Sequence, residues 1–170
     1  DHASNQRANL NITGGSEMAK YFVSAGYYQE DGVWKGSNLN TYNTNAKLKR
    51  YNFRANIDLN LNKNTELSLG LGGILITSNY PGTGNGDIWG NIQNNTPIGY
   101  SPTYPDPANP KKFLYGGISS LINPYAQLTG TGFKTQWRNN IQSDITVKHE
   151  LSRFVKGLSI QGNFAFDGYN

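Results

Sequence analysis

The 170-residue chain reads as an all-β protein, an antiparallel meander of about six long strands with one long loop insertion. Three observations predict this. First, "RYNFRANIDLNLNKNTELSLGLGG" (residues 50–73) alternates: Tyr51, Phe53, Ala55, Ile57, Leu59 and Leu61 take one face, Asn52, Arg54, Asn56, Asp58, Asn60 and Asn62 the other. This period-2 pattern runs well past the roughly 5–6 residues of a mean globular strand. Second, charged residues make up only 15% of the chain, with Asn, Gly, Thr and Tyr filling the difference, a composition suited to strands and polar loops. Third, the connections between strands alternate between short and long.

Taken in order, the first strand is expected over 6–13, where Ala8, Leu10 and Ile12 face away from Asn9, Asn11 and Thr13. "GGSE" (14–17) is a turn signal. A second strand, rich in Tyr, Phe and Val, covers 18–29, and a polar loop occupies 30–46. The third strand is 48–61, "NKN" (62–64) turns the chain, and the fourth is 65–78. A long insertion follows over 79–131. The fifth strand is 136–151, "SRFVKG" turns again, and the sixth is 158–167, with Leu158, Ile160, Phe164 and Phe166 against Ser159, Gln161, Asn163 and Asp167.

In a meander, successive connections lie at opposite ends of the sheet. Short turns therefore collect at one end and long loops at the other. That asymmetry characterises transmembrane β-barrels and has no physical cause in a soluble sandwich. Strand lengths agree, since a tilted spanning strand needs roughly 9–11 residues. Aromatics fall near strand ends (Tyr21, Tyr27, Tyr28, Tyr51, Phe53, Trp137), as at the two interfaces of a barrel. Mean hydropathy is low, at −0.61, and no run of 18 apolar residues predicts a membrane helix. The first residues, "DHASNQRANL", carry no apolar signal-peptide core, and we expect the chain to be an internal section of a longer protein. The sheet would then form part of a transmembrane barrel whose remaining strands lie elsewhere. The competing expectation is a soluble, carbohydrate-binding β-sandwich with its apolar face on a protein core.

Candidate ligand residues sit in the insertion: Asp87, Trp89, Asn94, Tyr100, Tyr104, Tyr115 and Tyr125. Rings stack on the C–H faces of sugars while amides and carboxylates bond hydroxyls, and peptides suit them nearly as well. The plainer expectation is that these rings pack the loop against itself. Residues 87–94 are expected to form one or two helical turns, with Asp87 favourable near the N-terminus. Arg54, Asn56 and Asp58, with Asp144 on the fifth strand, are expected to face the lumen, lining a passage, pairing with a plug, or only hydrated or paired along the wall. "KLKR" (47–50) lies at the long-loop end, where its cations would meet lipopolysaccharide phosphates or form a solvated rim.

"GTGNGD" (82–87) lacks the following GK[ST] of a phosphate-binding loop and reads as a flexible loop. The chain has no cysteine and two well-separated histidines, His2 and His149, so no metal or cofactor site is expected. No catalytic motif stands out, and we expect no enzyme. The formal charge of +4 is modest and does not predict nucleic-acid binding.

Several segments resemble the barrel region of SusC/RagA-type TonB-linked outer-membrane transporters: "QRANLNITGGSEMAKYFVSAGYYQEDGVWK", "YNTNAKLKRYNFRANIDLNL", "TPIGYSPTYPD" and "NPYAQLTGTGF". The resemblance covers nearly the whole chain in the family's order. It implies a 22-stranded barrel around an N-terminal plug, preceded by a small β domain. It also implies a SusD-type surface lipoprotein lid, energy supplied through TonB, and uptake of oligosaccharides or sometimes peptides in a Gram-negative outer membrane. No catalytic residue carries over. A passive porin or an adhesin barrel would share the wall but not the plug or the lid.

Overall fold

The computed structural model describes residues 2–34 and 41–170; residues 35–40, inside the loop expected over 30–46, lie outside the described residues. The chain is all-β. Six strands, β1 (Ser4–Gly15), β2 (Ala19–Asp31), β3 (Lys47–Asn62), β4 (Thr65–Pro81), β7 (Phe133–Glu150) and β8 (Ser159–Tyr169), form one open antiparallel meander in the order β1-β2-β3-β4-β7-β8. The expected strands are all present. Each observed strand runs past the expected bounds at one end or both, most at the fourth, which continues to Pro81, and the fifth, which starts at Phe133. Strands of 11 to 18 residues result.

Between β4 and β7 the insertion has structure of its own: α1 (Asn85–Asn94), a hairpin of β5 (Thr103–Asp106) and β6 (Asn109–Tyr115), and α2 (Pro124–Gly130). The chain divides into two compact units. One holds Asn5–Glu30, Leu48–Thr77 and Trp137–Asn170, which is most of the sheet. The other holds chiefly Asp31–Lys47 and Ser78–Gln136.

In the sheet unit, alternation assigns the two faces and contacts confirm them. Ser68 Oγ donates to Asp58 Oδ1 at 2.7 Å, and Asn163 Nδ2 donates to Thr146 Oγ1 at 2.7 Å. A side chain on Gly26 would run into Asn52, and one on Gly70 into the Asp144 carboxylate. These residues therefore share one polar face. On the opposite face the Tyr27 and Tyr51 rings lie 5.1 Å apart, and a side chain on Gly73 would strike the Phe53 ring. The register between β7 and β8 runs from Asn140↔Tyr169 to Glu150↔Ser159, placing Ile145 opposite Phe164 on the apolar face and Thr146 opposite Asn163 on the polar one.

Among the described residues, no buried hydrophobic side chain lies under that apolar face. Among the described residues only Ile88 and Leu128 are buried hydrophobics, at 1% and 7% exposure, and both belong to the loop unit. Leu10, Phe53, Leu71, Ile141, Ile145 and Phe166 are each exposed, and Phe164 reaches 69%. Aromatic side chains carry ~150–250 Å² each and aliphatic ones less; with Ile12, Tyr21, Leu61, Trp137 and Ile160 also exposed on it, the face leaves on the order of 1,000 Å² of apolar surface open, against a few hundred on a typical soluble monomer.

Turns follow from local chemistry. Asn62 Oδ1 accepts from the Asn64 amide at 2.9 Å and the Thr65 hydroxyl at 3.0 Å, closing the β3–β4 hairpin. Gly157, at φ 83°, supplies the left-handed residue before β8. In the loop unit, Asn123 caps α2 by accepting from the amides of Tyr125 and Ala126, and Pro124 occupies the first helical position. Gly132, at φ 81°, lets the chain leave α2 and enter β7.

Candidate ligand-binding surfaces

The seven loop residues expected to touch ligand fall into separate neighbourhoods. Asp87, Trp89 and Asn94 lie on α1, with Asp87 in its first turn as expected. Ile88 is the buried residue of that helix, which turns Trp89 outward. The Trp89 ring lies 4.9 Å from that of Trp34, whose Nε1 donates to Asn85 Oδ1 at 2.9 Å. Trp34 was not singled out in the sequence, because nothing local indicates that residue 34 meets residue 89.

Tyr115 and Tyr125 form a second group. Their rings meet edge-on at 6.4 Å, Phe113 stands edge-on to Tyr115 at 5.3 Å, and the Tyr115 hydroxyl is 2.9 Å from Thr129 Oγ1. Tyr100 donates to Asn95 Oδ1, and Tyr104 accepts from the Ser101 amide at 3.0 Å. The tyrosines thus have partners inside the loop. Among the candidate rings Trp89, Tyr104 and Tyr115 are exposed, the first two nearly half.

Asn123 holds this loop together and was not flagged in the sequence as anything but part of a resemblance. Its amide is buried, and it fills its two acceptor and two donor sites. Oδ1 accepts the two α2 amides, while Nδ2 donates to the carbonyls of Pro102 and Gly116 at 2.9 and 2.8 Å. The Asn-Pro pair before an amphiphilic run is a helix-start signal that would have found it.

Of the four wall residues, Arg54, Asn56, Asp58 and Asp144, all sit on the polar face of the sheet by alternation, and Asp58 and Asp144 by the contacts above. "KLKR" does not act as one cluster. Lys47 Nζ pairs with Asp31 Oδ1 at 3.1 Å. Arg50 falls in register with Asn52 and Arg54 and lines a concavity of about 650 Å³ on the polar face. Strands β1, β2, β3, β4 and β7 all contribute to it, through residues such as Arg7, Ser24, Asn52, Gly72 and Gln142. Five adjacent strands in a flat sheet would span roughly 19 Å at ~4.8 Å spacing and enclose nothing. The sheet therefore curls toward its polar side, leaving the apolar face convex.

Among the described residues Arg7, Arg50 and Arg54 form no ion pair. No group of acidic and histidine side chains among the described residues could hold a metal ion. Among the described residues no helix is long and apolar enough to cross a membrane. Compared with known proteins, the chain matches no family model and no curated protein.

Proposed function

We propose that this chain is wall and outer-loop structure of a TonB-dependent outer-membrane importer, which takes up oligosaccharides or peptides with a SusD-type lipoprotein and performs no chemistry itself. The observation that carries the reading is the two-faced curled sheet: a polar concave side and an apolar convex side that no described residue covers with a hydrophobic core. Lipid covers such a face without a second protein layer, and a polar interior with a lipid-facing apolar band is barrel architecture. Strand lengths of 11 to 18 residues exceed what a tilted span requires. Tyr27, Tyr51 and Trp137 gather on the apolar face near the long-loop end, where an aromatic girdle marks the headgroup level. The open edges β1 and β8 would be paired by further strands, since unpaired edges template aggregation.

In this reading the long loops, with Trp89 and Tyr104, face outward to ligand or lid, and "KLKR" splits between an ion pair with Asp31 and the lumen wall rather than meeting lipopolysaccharide as a block. The test uses the absence of cysteine from the chain. In the full-length protein, freed of any other cysteine, Ile98→Cys places a thiol on a loop residue that is 95% exposed, and Lys63→Cys places one on the β3–β4 turn. A membrane-impermeant maleimide on intact cells labels the first variant and labels the second only after lysis. Equal labelling of both from a soluble fraction would reject the membrane reading.

A further inference from the structure

We infer that the concavity on the polar face binds an acidic, hydroxyl-rich saccharide, one carrying carboxylates or sulfates. The inference rests on the reading that this face lines a passage, and it specifies the substrate class for that passage. Three arginines, Arg7, Arg50 and Arg54, line one space of about 650 Å³. A guanidinium fork is suited to bidentate contact with carboxylate or sulfate oxygens. None of the three is neutralised by an ion pair among the described residues. Two carboxylates stand at the margin: Glu30 accepts from the Tyr28 hydroxyl at 2.9 Å, and Asp167 lies across from Gln142 on β8, a strand that contributes no residue to the space.

What surrounds the arginines argues for a sugar. Asn9, Asn52, Asn140 and Gln142 bring amides that both donate to and accept from hydroxyls, with Ser24 beside them. Phe22 stands among these polar groups on the same wall, a flat apolar surface of the kind on which a sugar ring's C–H face stacks. An acidic peptide would use the arginines and pair its backbone amides with Asn and Gln, but it offers no C–H ring face to Phe22. Asp58 and Asp144 lie further toward the turn end of β3 and β7, outside the residues that line the space. Charge on the wall is therefore graded, positive toward the long-loop end where a ligand would arrive.

Binding is measured on the full-length protein in detergent with four probes: tetragalacturonate, a sulfated chondroitin tetrasaccharide, neutral galactotetraose and tetraglutamate. At least one acidic saccharide binds about tenfold or more tighter than galactotetraose and tetraglutamate, as expected when charge-assisted hydrogen bonds are added to a shared sugar frame. That preference falls by about tenfold in Arg54→Gln, with part of it restored in Arg54→Lys, which keeps the charge without the fork. Which acidic probe binds separates carboxylate from sulfate recognition. Equal binding of neutral and acidic saccharides, equal binding of tetraglutamate, or an unchanged preference in Arg54→Gln would overturn the inference. Cysteine labelling is read independently: outward loops with no acidic preference defeat this inference alone, whereas a soluble labelling pattern defeats the membrane reading.

Discussion

Ile145→Arg is expected to destabilise the folded protein by about 2–4 kcal/mol in a bilayer, while Thr146→Arg, one residue on, is expected to cost under about 1 kcal/mol. The two positions are adjacent in sequence and opposite in environment. Ile145 pairs with Phe164 on the apolar face. Thr146 pairs with Asn163 on the polar face, and its hydroxyl accepts from that amide. Ile145 also lies about midway between Trp137, near the aromatic end, and the strand terminus at Glu150, a position that in the proposed barrel is the most apolar depth. Urea titration of protein refolded into lipid vesicles reads both variants. A cost near zero at position 145 would mean that this face meets water.

A large cost alone does not separate lipid from a protein core, and Gly162 does. It lies on the same apolar face, opposite Val147, and a side chain built there meets nothing within 4 Å. Against lipid, Gly162→Leu adds apolar surface to a fluid solvent and is expected to be neutral or stabilising, by up to about 1 kcal/mol. Against a packed protein layer the same change overfills the space and costs about 1–3 kcal/mol. The combination of a costly Ile145→Arg and a tolerated Gly162→Leu is specific to a lipid-facing wall. A soluble sandwich would show both substitutions as damaging.

The six-stranded sheet was readable because a strand whose two sides meet different surroundings must alternate, and alternation survives in the sequence without any tertiary information. Arg54, Asn56, Asp58 and Asp144 were placed on one face by counting alone, and Ser68 and Gly70 now show why two of them sit where they do. "KLKR" divides for the same reason that β3 was legible. Strand geometry sends Arg50 to the polar face while Lys47 pairs with Asp31 across the connection, so four adjacent residues never present one charged surface.

The insertion was less legible. β5 and β6 were not expected, because "SPTYPDPANP" carries prolines at positions 102, 105, 107 and 110, which usually argue against a strand. The hairpin tolerates them as a two-stranded ribbon with edges on both sides and a register shift between Pro105 and Asp106. Helix α2 was overlooked because its seven residues are too few for a periodic signal. The pairing of Trp34 with Trp89 depends on how two separated segments fold together, which no local pattern encodes.

Asn123→Ala is expected to destabilise the loop unit by about 2–4 kcal/mol, through loss of a helix cap and of two buried hydrogen-bonded donors. The buried amide joins three separate stretches. It caps α2, and it ties the carbonyls of Pro102 and Gly116 on either side of the β5–β6 hairpin. Alanine leaves the Tyr125 and Ala126 amides without their cap, and it removes the donor from the Gly116 carbonyl in a place that water does not readily replace. Asn123→Asp does not rescue the loop. It restores the cap's acceptor but turns a second anionic oxygen toward two carbonyls. Asn94→Ala is the matched control: Asn94 is exposed at the end of α1, so its removal stays within about 0.5 kcal/mol. Amide exchange at Tyr125 and Ala126, with limited proteolysis across residues 96–122, distinguishes the variants. Faster exchange and new cleavage are expected in Asn123→Ala and Asn123→Asp alone. If Asn123→Ala behaves like Asn94→Ala, the loop is held by its rings, and Tyr115 and Tyr125 rather than Asn123 fix where Tyr104 stands.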